Sequence, residues 1–181
     1  AISADHCFGL IADSLDATLK KADAQFGVVE YYTLGENQWK TADKWPLPQT
    51  RWQRLYCADN HQLSPTKPEQ ETACDHYQVD PNTSTGINNR WGCQMGQPVF
   101  FDDRQHDDRQ RLVYDSPPLE NDTEITGHSV VKLFVRSSRS DGQFFVYLET
   151  IDPDGRVRWL TDGQLRAIHR KVSDQTPPFK M

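Results

Sequence analysis

Three Asp-Gly turns constrain this chain more than any other feature. Ser140-Asp141-Gly142, Asp152-Pro153-Asp154-Gly155 and Thr161-Asp162-Gly163 each suit a tight hairpin, because Gly takes positive φ without strain and Asp closes the turn through its own side chain. Phe144 to Ile151, Arg156 to Leu160 and Gln164 to Arg170 lie around them and read as strands. Upstream, Ile125, Ser129, Val131, Leu133 and Val135 alternate with their neighbours at the strand period of two. Short strands at this spacing, with few helices, predict an antiparallel β-sandwich. Leu133, Val135, Val146 and Leu148 are its expected core residues.

The first part of the chain is different. Phe8, Ile11, Leu15 and Leu19 recur at spacings of three and four, which predicts an amphipathic helix from about Asp5 to Ala24, stopped by Gly27. Beyond it, Val28 to Tyr32 and Trp52 to Tyr56 read as strands. The intervening stretch, with Gly35 to Trp39 and Trp45-Pro46-Leu47-Pro48, reads as a loop pinned by its tryptophans. Residues 58–110 are irregular, with short strands expected near His76 to Val79 and Pro98 to Phe101. So long an irregular connection often serves a function or wraps a neighbour.

Acidic residues outnumber basic ones, 26 to 20, for a net charge of -6. This balance argues against a nucleic-acid partner, which would need a concentrated basic patch. No apolar run reaches the roughly 20 residues that span a bilayer, so no membrane partner is expected. The four cysteines, Cys7, Cys57, Cys74 and Cys93, fit no paired zinc pattern. They are read either as reduced thiols or as disulfides. In the second case Cys57 and Cys74 are the best pair, worth roughly 3 kcal/mol of loop closure. Disulfides would indicate a periplasmic or secreted protein, and thiols a cytoplasmic one.

Gly127-His128-Ser129-Val130-Val131 superficially matches a nucleophile elbow. Its second glycine is missing, and the β alternation runs through Ser129 where an elbow needs a strand, a turn and a helix. Asp152-Pro153-Asp154-Gly155 starts like a calcium loop but lacks the distal ligands, so a hairpin turn is expected. The run from Asp102 to Arg109 reads as a solvated or salt-bridged charge cluster rather than a metal site. His6, His61, His76, His106, His128 and His169 fall in no ligand spacing. Catalytic, cofactor-binding and metal residues are therefore all expected to be none, and no cofactor is expected.

Several segments, in order, resemble one family. Leu112 to Gly127, with Tyr114-Asp115-Ser116-Pro117-Pro118-Leu119, resembles the entry to the C-terminal domain of X-Pro dipeptidyl-peptidases and cocaine-esterase-like acyl hydrolases. Val29 to Trp39 is similar to that domain's opening strand and Gly-x-x-x-Trp turn, and Trp45-Pro46 to the Trp-Pro that follows. Tyr77 to Asn82 resembles its Tyr-x-x-Asp-Pro segment. Phe145 to Gly155 and Thr161 to Ala167 resemble its late motifs. The cysteines of 57–93 depart from the family pattern, and family members continue with further strands beyond the equivalent of Met181.

The resemblance implies an all-β, jelly-roll β-sandwich of galactose-binding-like type, preceded by one amphipathic helix. Residues 1–26 are expected to be a linker helix from a preceding α/β-hydrolase domain, and residues 27–181 the sandwich, incomplete at its C-terminal end. The implied role is the non-catalytic C-terminal domain of a serine acyl hydrolase, packing on the catalytic domain, shaping access to the active site and supporting a homo-oligomer. The chain alone is expected to be inactive, because no triad residue maps onto it. The alternative is a carbohydrate- or polymer-binding jelly-roll module, which would require exposed, coplanar aromatics. A free-standing hydrolase is the weakest reading.

Overall fold

A computed structural model describes residues 4–20, 28–70, 72–84, 92 and 102–171. Their regular structure is mostly strand, with one long helix and three small antiparallel sheets of two strands each. This is a β-rich chain. The expected strands near Pro98 to Phe101 lie outside the described residues. The chain divides into two compact units, Ala1–Trp52 with Asn121–Ser129, and Gln53–Glu120 with Val130–Met181.

The first unit opens with α1 (Ala4–Lys20). Asp5 in its first turn and Lys20 in its last complement the helix dipole. Lys20 also pairs with Asp16 one turn back, at 2.7 Å. The predicted stripe is present, but no residue of α1 is buried; Phe8 is 68 % exposed and Leu19 79 %.

β1 (Val29–Thr33) and β2 (Gln38–Ala42) then form a hairpin, with Tyr32 opposite Trp39. Sequence reasoning missed β2. The stretch read as loop supplies the turn, and then its own strand. Gly35 and Asn37 take φ of 87° and 59°, values that these two residue types tolerate. The Asn37 amide donates to the Thr33 carbonyl at 2.9 Å.

In the second unit, β3 (Tyr56–Ala58) and β4 (Gln62–Ser64) form a short hairpin. The strand expected over Trp52 to Tyr56 therefore begins only at its last residue. Asp115 docks alongside: its amide donates to the His61 carbonyl at 2.9 Å, and its carbonyl accepts from the Leu63 amide at 2.8 Å. No strand forms at His76 to Val79.

The largest sheet pairs β5 (Gln143–Ile151) with β6 (Val157–Arg166). Asp152-Pro153-Asp154-Gly155 is the hairpin turn, as expected. The Gly155 amide donates to the Asp152 carbonyl at 2.8 Å, and Gly155 takes φ of 84°.

Thr161-Asp162-Gly163 is not a turn. It lies inside β6, with Asp162 opposite Tyr147 and Gly163 opposite Val146. The nine-residue β5 needs a partner along its whole length, and that tertiary demand overrides the local turn preference. The register shifts once, leaving Leu160 without a partner between Trp159 and Thr161. This is a β-bulge.

Two further expectations need correction. The segment from Ile125 to Val135 joins no sheet among the described residues. Leu133 and Val135, expected in the core, are 48 % and 58 % exposed. Alternation marks a face that can be buried; it does not supply the neighbouring strand. Among the described residues the buried apolar side chains are Leu47 in the first unit and Val157 in the second.

Candidate functional site

The most closely knit group of polar side chains lies where the Asp102 to Arg109 run meets β5. Asp103 starts it. Its carboxylate accepts from the Val157 amide at 3.1 Å and the Gln105 amide at 3.1 Å, and these two bonds hold the acid below its usual range. The Arg104 amide donates to the Val157 carbonyl at 2.9 Å. A short helix, α2 (Gln105–Asp108), follows.

Arg104 is buried, at 6 % exposure. Its Nε donates to Glu149 Oε1 on β5 at 2.6 Å, and its guanidinium carbon lies 4.8 Å from the Tyr147 ring centroid. Arg111 stacks on the same ring at 4.5 Å and donates through Nη1 to Asp108 at 3.2 Å. Asp107 lies 4.0 Å from both guanidiniums. Arg104 Nη2 is buried without a hydrogen-bond partner.

Burial, and then the Asp108 charge, push the Glu149 carboxyl up; the Arg104 ion pair opposes them and does not win. Burial also pushes up the Tyr147 phenol. The arrangement clamps α2 onto the hairpin. It is a salt-bridge cluster, as the sequence implied, but far less solvated than a surface charge run.

Neighbouring loops are tied to the same place. Tyr77 Oη donates to the Gln110 carbonyl at 3.1 Å, and Arg111 Nη2 to the Ser84 carbonyl at 3.0 Å. Asp80 closes the Asp-Pro turn by accepting from the Asn82 amide at 2.8 Å. The Tyr-x-x-Asp-Pro motif therefore acts as a tether and a turn.

A second cluster joins Tyr114, Asp75 and His61. Tyr114 Oη donates to Asp75 at 2.6 Å, and its ring stacks on His61 at 5.4 Å. Burial first, then Asp75, raises both the Tyr114 phenol and the Cys57 thiol, so Cys57 is no activated thiolate. Cys57 and Cys74, the best disulfide pair from the sequence, are separate free thiols, as is Cys7; Cys93 lies outside the described residues. Among the described residues no group of three or more His, Cys, Asp or Glu could hold a metal ion.

In the first unit, Lys40 sits between Glu36 and Glu124, 2.6 Å from each. Trp45 packs edge-on against Tyr31 and His128, at 5.9 Å in each case, and its Nε1 donates to His128 Nε2 at 3.4 Å. His128 thus serves the loop contact. Ser129 beside it is exposed and lies in no strand, and no helix directly follows it among the described residues, so the geometry of an elbow is absent there. Trp39, Trp45 and Trp52 are exposed, which the polymer-binding reading requires. Their neighbours are tilted, however: Tyr32 and Trp39 meet at 55°, Tyr31 and Trp45 at 60°. Trp39 and Trp45 thus meet their tyrosine neighbours edge-on or tilted rather than form a flat platform.

The sequence pattern of the X-Pro dipeptidyl-peptidase C-terminal non-catalytic domain matches residues 24–180. The chain belongs to this family. It is also similar to proteins of Mycobacterium bovis and Mycobacterium tuberculosis, provisionally named serine esterases, each 46% identical over 171 residues. The match covers 92% of this chain and 27% of each relative. The cocaine esterase of a Rhodococcus species is 30% identical over 165 residues, covering 84% of this chain and 29% of that enzyme. The chain therefore spans less than a third of the length of the curated relatives it matches. No solved structure matches it.

Proposed function

We propose that this chain is the accessory C-terminal domain of a serine acyl hydrolase, seated on the catalytic α/β-hydrolase domain of the same protein and shaping access to its active site. Residues 1–26 then form the linker helix from the catalytic domain, and residues 27–181 belong to a jelly-roll sandwich. The parent reaction is acyl transfer to water through a serine nucleophile. The observation that carries this reading is the apolar stripe of α1. Phe8, Ile11, Leu15 and Leu19 are all more than half exposed. Burying each fully would be worth about 1.5–3 kcal/mol, so the helix is built to be covered. The esterase names of the relatives supply the class of the covering domain.

Two measurements test this. The purified chain, given an activated ester and an X-Pro anilide, shows no turnover above buffer; turnover abolished by Ser129→Ala would place the chemistry in this chain instead. Hydrogen exchange in residues 5–20 is fast in the isolated chain and slows when the parent hydrolase domain is present. Equally fast exchange in both would remove α1 from the interface.

A further inference from the structure

Trp45 and His128, both in the first unit, meet through a contact whose direction is fixed by chemistry. Trp45 Nε1 lies 3.4 Å from His128 Nε2, and the two rings stand at 86° with centroids 5.9 Å apart. An indole N–H can only donate. His128 Nε2 must therefore accept, and the ring must be the neutral tautomer with its proton on Nδ1. A second proton makes both ring nitrogens donors. Turning the ring over then gives no relief, because Nδ1 is a donor as well.

The backbone beside the histidine supplies a pivot. Gly127 takes φ of 135°, and nothing lies within 4 Å of the place a Cβ would occupy. Glycine is required there for its backbone freedom and not for room. On the other side of this pivot Glu124 is held by Lys40 of β2 at 2.6 Å.

We propose that His128 is a pH-dependent latch. The neutral ring ties the chain after Gly127 to the Trp45 loop. Protonation opens that contact about Gly127, while the Lys40–Glu124 bridge holds.

The charged and titratable groups on the elements packed here are Glu30 and Tyr31 on β1, Lys40 on β2 with Glu36 and Glu124, and Asp43 and Lys44 next to Trp45. Tyr31 packs on Trp45. Lys40 lies between its two acids, and Asp43 and Lys44 carry opposite charges. Among the described residues no ion pair joins His128 to an acid that would hold a charged ring in place. Histidine changes charge between about pH 5 and 8. The closed latch admits only the neutral ring, so its contribution is complete above that range and is lost as pH falls through it.

His61 in the second unit is the internal control. Its Nδ1 faces the Val113 carbonyl at 3.2 Å and its Nε2 the Asp75 carboxylate at 3.8 Å. Both partners accept, so a doubly protonated His61 keeps its contacts.

Proton NMR of the unsubstituted chain tests the latch. As His128 titrates, the Trp45 indole N–H resonance should move upfield with the same midpoint, and the nuclear Overhauser contacts between the two rings should weaken several-fold. Those between His61 and Tyr114 should persist. In His128→Gln, whose side-chain carbonyl can accept from the indole without titrating, the Trp45 resonance should stay level. Trp45–His128 contacts that survive protonation overturn the proposal, as does a Trp45 response that remains in His128→Gln. Joint loss of both ring contacts would be general acid unfolding and also overturns it. If the glutamine variant does not fold, the ring contacts of the unsubstituted chain decide alone.

Discussion

The β5–β6 hairpin and helix α1 are the most regular stretches of the chain, and they are stabilised in opposite ways. The hairpin brings its own partners. Its backbone pairs internally over the whole of β5, Val157 is buried, and Arg104 covers Tyr147 and neutralises Glu149. Helix α1 satisfies its own backbone, as any helix does, yet buries no side chain. The difference separates two sources of regularity. One comes from contacts that the chain makes with itself. The other is local propensity that still needs an external surface, since most helical stability in proteins comes from packing of an apolar face.

Substitutions can break or sharpen this contrast. Arg104→Ala should cost about 3–5 kcal/mol, because it leaves Glu149 buried beside Asp108 with no counter-charge. Arg104→Lys should recover only part, since an ammonium cannot both stack on Tyr147 and present the same planar donor. A denaturant midpoint unmoved by Arg104→Ala would mean that the clamp does not hold the hairpin.

Val157→Ala, which removes a buried side chain at the head of β6, should cost about 2 kcal/mol. Ile11→Ala in the isolated chain should change stability by no more than about 0.5 kcal/mol, as expected of an exposed position. With the hydrolase domain present it should weaken association. A large loss in the isolated chain would show that α1 packs on this chain after all. Leu133→Ala should be as nearly neutral as Ile11→Ala, and a cost above 2 kcal/mol would restore Leu133 to the core.

How legible these regions were in the sequence follows from the same contrast. Helix α1, β1, the Asp152–Gly155 turn and β5 were readable because each depends on local pattern: a helical stripe, alternation, or a glycine at positive φ. The clamp was half legible. The acidic and basic residues of 102–111 are contiguous, but Tyr147 and Glu149 lie some forty residues away, and only the fold brings them together. The register bulge was illegible, and it caused the misreading of Thr161-Asp162-Gly163. A break in alternation followed by Asp-Gly looks like a turn; here the strand runs on with one residue inserted. The segment from Ile125 to Val135 shows the converse error, in which a clear strand pattern finds no ladder because pairing depends on a neighbour.

The bulge at Leu160 acts as a gear tooth between the two strands. Tyr147 and Glu149 are two residues apart on β5 and share one face of the sheet. Their partners on β6, Asp162 and Trp159, are three apart and would fall on opposite faces of a regular strand. The unpaired Leu160 returns them to one side, opposite Tyr147 and Glu149 in the ladder. Deleting this one leucine would leave a straighter hairpin, but it would be out of phase on one side of the cut. Either Val157 and Trp159 or the whole stretch from Thr161 to Arg166 would have to turn over. The irregularity is thus what keeps the two ends of the longest strand in step.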